Sequence, residues 1–355
     1  MSGLQTIGEP HVELLRAWTV AGLSSAVLVK AGKVQILFDC GSMDEKVADA
    51  KYVFITHGHT DHIGAIVSHA RFGMVKHKGA TEYYVPPGCH DAVMRAREAF
   101  SEMDRGEEEG KDIVMRLNMF SPEDQPIRVS ENFSIAAFST VHRCESQGYA
   151  IFRHIKGETL EGSLVDEETT TVDFVYTGDT TFAGLLRPGL EFVFKADVLF
   201  IEATYIDAKT SRAKAADRGH IHLQDILDNI SLFANRKIVL VHLSVKYSNG
   251  GKILEILRSS IPDDLHSRFY VALRGFGSHE DVTPVAAVMK RSASSSAPGD
   301  GWSKQVRIDG SGGGGGGGGS DAIVDESQKW RSKQCKFFSQ GNCKKGEACT
   351  FRHDV

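Results

Sequence analysis

No stretch of the 355-residue chain approaches the roughly eighteen consecutive apolar residues of a membrane-spanning helix, which excludes that class of membrane protein. Residues 1–15 include Glu9 and Glu13 and lack both an apolar signal core and an Arg/Ser-rich, acidic-poor character. No signal or transit peptide is therefore expected, and the reading places the protein in the cytosol and/or nucleus. Cysteine is sparse, with six residues in all. Cys40, Cys89 and Cys144 are scattered and expected to be reduced, whereas Cys335, Cys343 and Cys349 crowd the C-terminal end and need a separate explanation. No fixed repeat spacing is present either. Hydrophobic residues at 41% and charged residues at 25% leave an ordinary soluble globular chain, long enough for one large domain or two.

Against that background one segment is dense in chemistry: His57-Gly58-His59-Thr60-Asp61-His62, directly after the apolar run Tyr52-Val53-Phe54-Ile55-Thr56. Histidines can cluster as solvated loop residues, yet the chain has only 15 of them and three fall within these six positions. A strand feeding such a loop delivers two imidazoles to one metal ion, and a carboxylate with a third imidazole to a second ion beside it. Imidazole and carboxylate suit zinc, and the pattern outlines a two-metal hydrolytic site. Further ligands are expected at other strand ends, where side chains meet in a shared cleft. His142 follows the run Phe133-Ser134-Ile135-Ala136-Ala137-Phe138, Asp179 follows residues 172–175, and His242 closes Lys237-Ile238-Val239-Leu240-Val241.

The rest of the body reads as an α/β layered domain. Strands are expected at 26–29 and 34–38, and helices at 63–70, 90–103, 223–233 and 253–260, the last stopped before Pro262. After residue 285 the composition changes, and residues 311–320 enclose eight consecutive glycines. Such a segment buries too little apolar surface to offset its ordering entropy, so residues 286–328 are expected to be a flexible tether. Residues 1–285 then form the hydrolase-like body and residues 329–355 a small third unit.

In that last unit Cys335, Cys343, Cys349 and His353, spaced x7, x5 and x3, offer the closed four-ligand set of a structural zinc site. A segment so short has almost no core, so metal binding would supply most of its folding free energy. Spacing and ligand order resemble the CCCH zinc-finger family, whose usual first spacing is one residue longer. The resemblance implies RNA binding by base stacking, with Phe337, Phe338 and Phe351 placed between the ligands. Charge agrees: residues 329–353 hold seven Lys or Arg against Glu347 alone. The remainder of the chain is acidic.

With its ligands in the order HxHxDH, His142, Asp179, His242, the body resembles the metallo-β-lactamase superfamily, an αββα sandwich with the site at one edge. Thr140-Val141-His142, Ser146-Gln147-Gly148-Tyr149, Thr177-Gly178-Asp179-Thr180-Thr181, Gly219-His220-Ile221-His222 and His242-Leu243-Ser244-x-Lys246-Tyr247 narrow the resemblance. Together they are similar to the short form of ribonuclease Z (tRNase Z), in its plant-type branch, over about residues 20–276. That resemblance implies endonucleolytic removal of the 3′ trailer from precursor tRNA by a hydroxide activated between two zinc ions. It assigns His57, His59 and His142 to one zinc, Asp61, His62 and His242 to the other, and Asp179 to both. Asp61 then doubles as a base, and His220 paired with Glu202 forms the non-metal catalytic pair that protonates the leaving 3′-oxygen. Spacing alone does not choose His220 over His222, because two residues apart on an extended segment they would share a face.

Ser244, Lys246 and Tyr247 are candidates to hold the scissile phosphate, although family members often carry Arg where this chain has Lys246, and Lys lacks the bidentate fork. Family members also clasp tRNA with a protruding arm. The corresponding residues 152–171 are acidic here, with Glu158, Glu161, Asp166, Glu167 and Glu168 against Arg153 and Lys156. Such a surface suits a phosphate backbone poorly, which makes the finger a replacement for distal RNA contacts. Relatives commonly form homodimers. Two other readings stay open: a hydrolase of small molecules in the same superfamily, and a non-catalytic RNA-binding finger protein on a lactamase-like scaffold.

Overall fold

In the central strands, consecutive residues feed different cores. Phe38 and Ile36 point to one side and Leu37 to the other; Val198 and Phe200 alternate with Leu199 and Ile201, and Val239 and Val241 with Ile238 and Leu240. Because both faces are covered, these segments read as continuous apolar runs rather than as alternating ones. The computed structural model describes residues 11–76, 81–105, 112–158 and 164–287. Residues 288–328 of the expected tether, and the finger with Cys335, Cys343, Cys349, His353, Phe337, Phe338 and Phe351, lie outside the described residues.

The first sheet contains β1 (Val12–Ala21), β2 (Ser24–Ala31), β3 (Val34–Phe38), β4 (Tyr52–Phe54), β5 (Glu82–Val85) and β6 (Arg116–Met119). The second contains β7 (Ile127–Arg128), β8 (Phe133–Ser139), β9 (Gln147–Glu158), β10 (Leu164–Tyr176), β11 (Val198–Glu202) and β12 (Lys237–Val241). After β12 the chain crosses back: β13 (Leu243–Ser244) pairs with β1, then β14 (Phe269–Val271) and β15 (Thr283–Pro284) extend the second sheet. The orders are β13-β1-β2-β3-β4-β5-β6 and β15-β14-β12-β11-β10-β9-β8-β7.

Three cores separate four layers. Val27, Phe38 and Phe54 meet Phe174, Phe200 and Val241 between the sheets. Outside the first sheet, Leu37 and Val53 pack on α2 (Ile66–Val75) and α3 (Pro87–Arg105), which follow the short α1 (Thr60–Ile63). Outside the second, Leu199 and Leu240 pack on α4 (Phe182–Leu185), α6 (Leu223–Asp228) and α7 (Gly250–Ser260); α5 (Arg212–Asp217) precedes α6. The αββα sandwich expected from the sequence is the observed architecture.

The helix at 90–103 begins earlier, at Pro87, whose missing N–H is harmless in a first turn. The helix at 253–260 also starts earlier, at Gly250, where the Asn249 side chain accepts from Lys252 N at 3.0 Å. The expected helix 63–70 is split: α1 ends at Ile63 with Gly64 as its cap, and Ala65 N turns to donate to Cys40 O at 2.9 Å before α2 begins. At 223–233 the α-helix stops after Asp228 and a 3-10 turn, Ile230–Leu232, follows. Residues 152–158 and 164–171 pair in an antiparallel β9–β10 ladder.

Candidate metal centre

The functional side chains converge because β3, β4, β8, β10, β11 and β12 all run in one direction and end at one edge, where open α/β sheets carry their ligands. His57, His59, Asp61 and His62 follow β4, His142 follows β8, Asp179 follows β10, and His242 follows β12. All seven sequence-derived candidates stand together. His57 Nε2 lies 3.0 Å from His59 Nδ1, which lies 3.2 Å from His142 Nε2. Beside them, His62 Nε2 is 3.2 Å from His242 Nε2, and Asp61 Oδ2 is 3.4 Å from that same His242 nitrogen. Between the two groups, Asp179 Oδ2 stands 3.7 Å from His57 Nε2, 3.8 Å from His142 Nε2 and 3.5 Å from His62 Nε2.

Outer contacts orient these rings. Thr56 Oγ1 is 3.0 Å from both carboxylate oxygens of Asp39, to which its hydroxyl can donate, and it accepts from His57 Nδ1 at 3.0 Å. His62 Nδ1 donates to Asp39 Oδ2 at 2.7 Å, and His142 Nδ1 to Gly219 O at 2.8 Å. Thr204 Oγ1 donates to Glu202 Oε2 at 2.6 Å and accepts from His242 Nδ1 at 3.1 Å. Each outer contact turns the opposite ring nitrogen inward. Gly219 has φ +79°, and a Cβ there would lie 2.6 Å from His142 Nδ1, so only glycine brings its carbonyl to that ring.

Asp39 was not anticipated, although it carries the signal that marked the others: a polar residue closing an apolar run. It is fully buried and also accepts from Tyr176 Oη at 2.8 Å. Among the described residues, Asp39 and His242 are the non-glycine positions with positive φ, 59° and 56°. His242 occupies the point where the chain leaves the second sheet for the first. Strain of this kind is sustained where surrounding contacts over-determine the backbone, and both residues belong to the site.

Burial holds His57, His59 and His142 below the ordinary imidazole value, with His62 adding to the effect at His57, so all three favour the neutral, ligand-competent form. At His62 burial acts the same way, but Asp179 and Asp39 outweigh it and hold the ring well above its ordinary value. Burial raises Asp61 and Asp179, yet the neighbouring histidines bring both carboxyls below their usual range. Asp179 Oδ1 is buried and accepts no hydrogen bond, although His242 Nδ1 is 3.2 Å away. Inward ring nitrogens at close range, carboxylates among them and a buried orphan oxygen are a fit for divalent cations.

His220 and His222 do not share a face. His220 Nδ1 stands 3.1 Å from Glu202 Oε1 and 3.9 Å from Asp179 Oδ2. His222 turns away to cap α6, accepting from Gln224 N at 3.1 Å while its Nε2 donates to Asp207 O at 3.1 Å. Burial lowers His220, but the Glu202 charge and hydrogen bond prevail and raise it to about 9. Of the proposed phosphate contacts, Tyr247 is buried and its hydroxyl accepts from Ile206 N at 2.9 Å. Lys246 Nζ is 3.3 Å from Asp207 Oδ1 and 4.9 Å from the Tyr205 and Tyr247 ring centres, and Ser244 Oγ accepts from Lys246 N at 3.4 Å.

Residues 34–243 match the family model of the beta-lactamase superfamily domain. tRNase Z TRZ1 of Arabidopsis thaliana is 27% identical over 259 residues, covering 68% of this chain and 89% of that protein. The chloroplastic tRNase Z TRZ2 of the same plant is 27% identical over 250 residues, covering 64% and 67%. Among solved structures, the short form of human tRNase Z is 24% identical, covers 66% of this chain and 93% of its own, and has a TM-score of 0.48. The family match spans the strands that deliver every candidate ligand from His57 to His242, and the chain belongs to the beta-lactamase superfamily, with a metallo-β-lactamase fold.

Proposed function

We propose that this protein is a zinc-dependent endoribonuclease that removes the 3′ trailer from precursor tRNA. The observation that carries the reading is the pair His220–Glu202 standing against Asp179, a proton donor beside a metal-binding cluster. The tRNase Z relatives agree with it. His57, His59 and His142 would hold one ion, Asp61, His62 and His242 the other, with Asp179 between them. When bound, two zinc ions supply a hydroxide near neutral pH and neutralise charge on the attacking and leaving oxygens.

The chain's own residues do the rest. Asp61, whose Oδ2 accepts from Gly22 N at 2.7 Å, is the base that orients the attacking water. His220, kept charged by Glu202, gives its proton to the leaving 3′-oxygen. Ser244, Lys246 and Tyr247 flank the phosphate, with Lys246 contributing charge and Tyr247 fixing the loop through Ile206. A finger formed by Cys335, Cys343, Cys349 and His353 around a third zinc would grip RNA through Phe337, Phe338 and Phe351, tethered by residues 286–328. A homodimer is part of the same reading, as is residence in the cytosol and/or nucleus.

One observation favours the small-molecule reading: an apolar groove of about 490 Å³ beside His59, lined by Ile63, Ile66, Val67, Val93 and Phe100. Substitution of His220 separates the two on precursor tRNA. His220→Ala is expected to lower kcat by about 10²- to 10⁴-fold while both zinc ions stay bound. Loss of zinc from that variant would show that His220 is a ligand rather than the proton donor.

A further inference from the structure

The outer nitrogens of His57, His62, His142 and His242 each meet an oxygen partner, whereas at His59 the outward Nε2 meets the sulfur of Cys144 at 3.8 Å. A contact that long commits the sulfur weakly to the ring. Among the described residues, Cys144 is exposed and pairs in no disulfide. It does not stand alone, because its Sγ and one nitrogen each of His57, His59 and His142 all lie within 4.8 Å of one another. Donors around one zinc ion stand roughly 3.3 to 3.8 Å apart, so the four atoms, already within 4.8 Å of one another, would draw closer on binding. The second position offers only nitrogen and oxygen, from Asp61, His62, His242 and Asp179.

We infer that Cys144 is a further donor at the first metal position, adding a thiolate to its three imidazoles and the shared Asp179 carboxylate, so that the position selects a thiophilic divalent cation such as zinc. The inference rests on the metal reading of the cluster. Coordination forms one sulfur–metal bond and releases the thiol proton to solvent, with no change of oxidation state. A soft sulfur donor discriminates against hard cations such as magnesium and manganese at this position, while the neighbouring one remains a nitrogen and oxygen site. The two positions are thereby chemically distinct.

Cobalt(II) in place of zinc tests this. The full-length chain carries Cys335→Ser, Cys343→Ser and Cys349→Ser so that the C-terminal thiols contribute nothing. A near-ultraviolet sulfur-to-cobalt absorption is expected beside the visible cobalt bands, retained on adding Cys89→Ser and lost on adding Cys144→Ser. Visible bands without the ultraviolet one would overturn the Cys144 assignment and leave the metal cluster standing; no cobalt absorption at all would overturn both. A second measurement needs no variant. In the unsubstituted protein, iodoacetamide labelling of Cys144, read by peptide mass, should fall on zinc loading and return on chelation. Equal labelling in the two states would refute the assignment.

Discussion

Glu202 accepts from Thr180 N, Thr204 Oγ1, Ile221 N and His220 Nδ1, so a fully buried carboxylate is satisfied on both oxygens. Its charge lifts His220 to about 9 against the lowering effect of burial. The charged donor is therefore present below that pH and lost above it, and kcat/KM is expected to fall as pH rises through about 9. Glu202→Gln removes the largest raising contribution and leaves that of Asp179 against burial, so the alkaline limb should move to lower pH; a pH–rate profile that does not move would contradict the pairing. Gly219→Ala pushes a methyl group against His142 Nδ1, and metal affinity should drop by about 10- to 100-fold, measured by competition with a chelating dye. The cluster of candidate ligands was legible because four lie within six consecutive positions and the others close apolar runs. Asp39 closes an apolar run as they do, yet escaped because that signal alone is shared with turn residues and its partner His62 is 23 positions away. His222 misled because an extended register was assumed where the chain turns into α6.

At the scale of elements, β3, β4 and β12 were readable as strands because burial on both faces makes them continuous apolar runs. The β9–β10 ladder was harder to see: its outer half is polar and acidic, so its pairing comes from the backbone ladder rather than from a hydrophobic pattern. The division of α1 from α2 was invisible as well, since the break serves the approach of Ala65 N to Cys40 O. The inter-sheet core should dominate stability. Phe200 is fully buried in β11, with its ring 5.1 Å from that of Phe174. Phe200→Ala is expected to cost about 3–5 kcal/mol in urea unfolding with an unchanged m-value, and a loss below about 1 kcal/mol would show that this interface is not the principal core.

For the molecule as a whole, charge is divided along the chain. The formal net charge is −5, yet residues 329–353 carry seven basic side chains against one acidic. An acidic body needs help in holding a polyanion, and the proposed finger on its glycine tether, spanning about 35 to 40 Å, would raise the local concentration of RNA without fixing its orientation. Deleting residues 321–355 is expected to weaken RNA binding and flatten its salt dependence, and unchanged affinity at moderate salt would remove that role. The central claim is the reaction itself, and it meets its most direct test when zinc-loaded protein is incubated with a precursor tRNA and the cut ends are mapped. The account predicts one endonucleolytic cut that frees the 3′ trailer and leaves a 3′-hydroxyl on the tRNA; an uncut precursor with both zinc ions bound would contradict it.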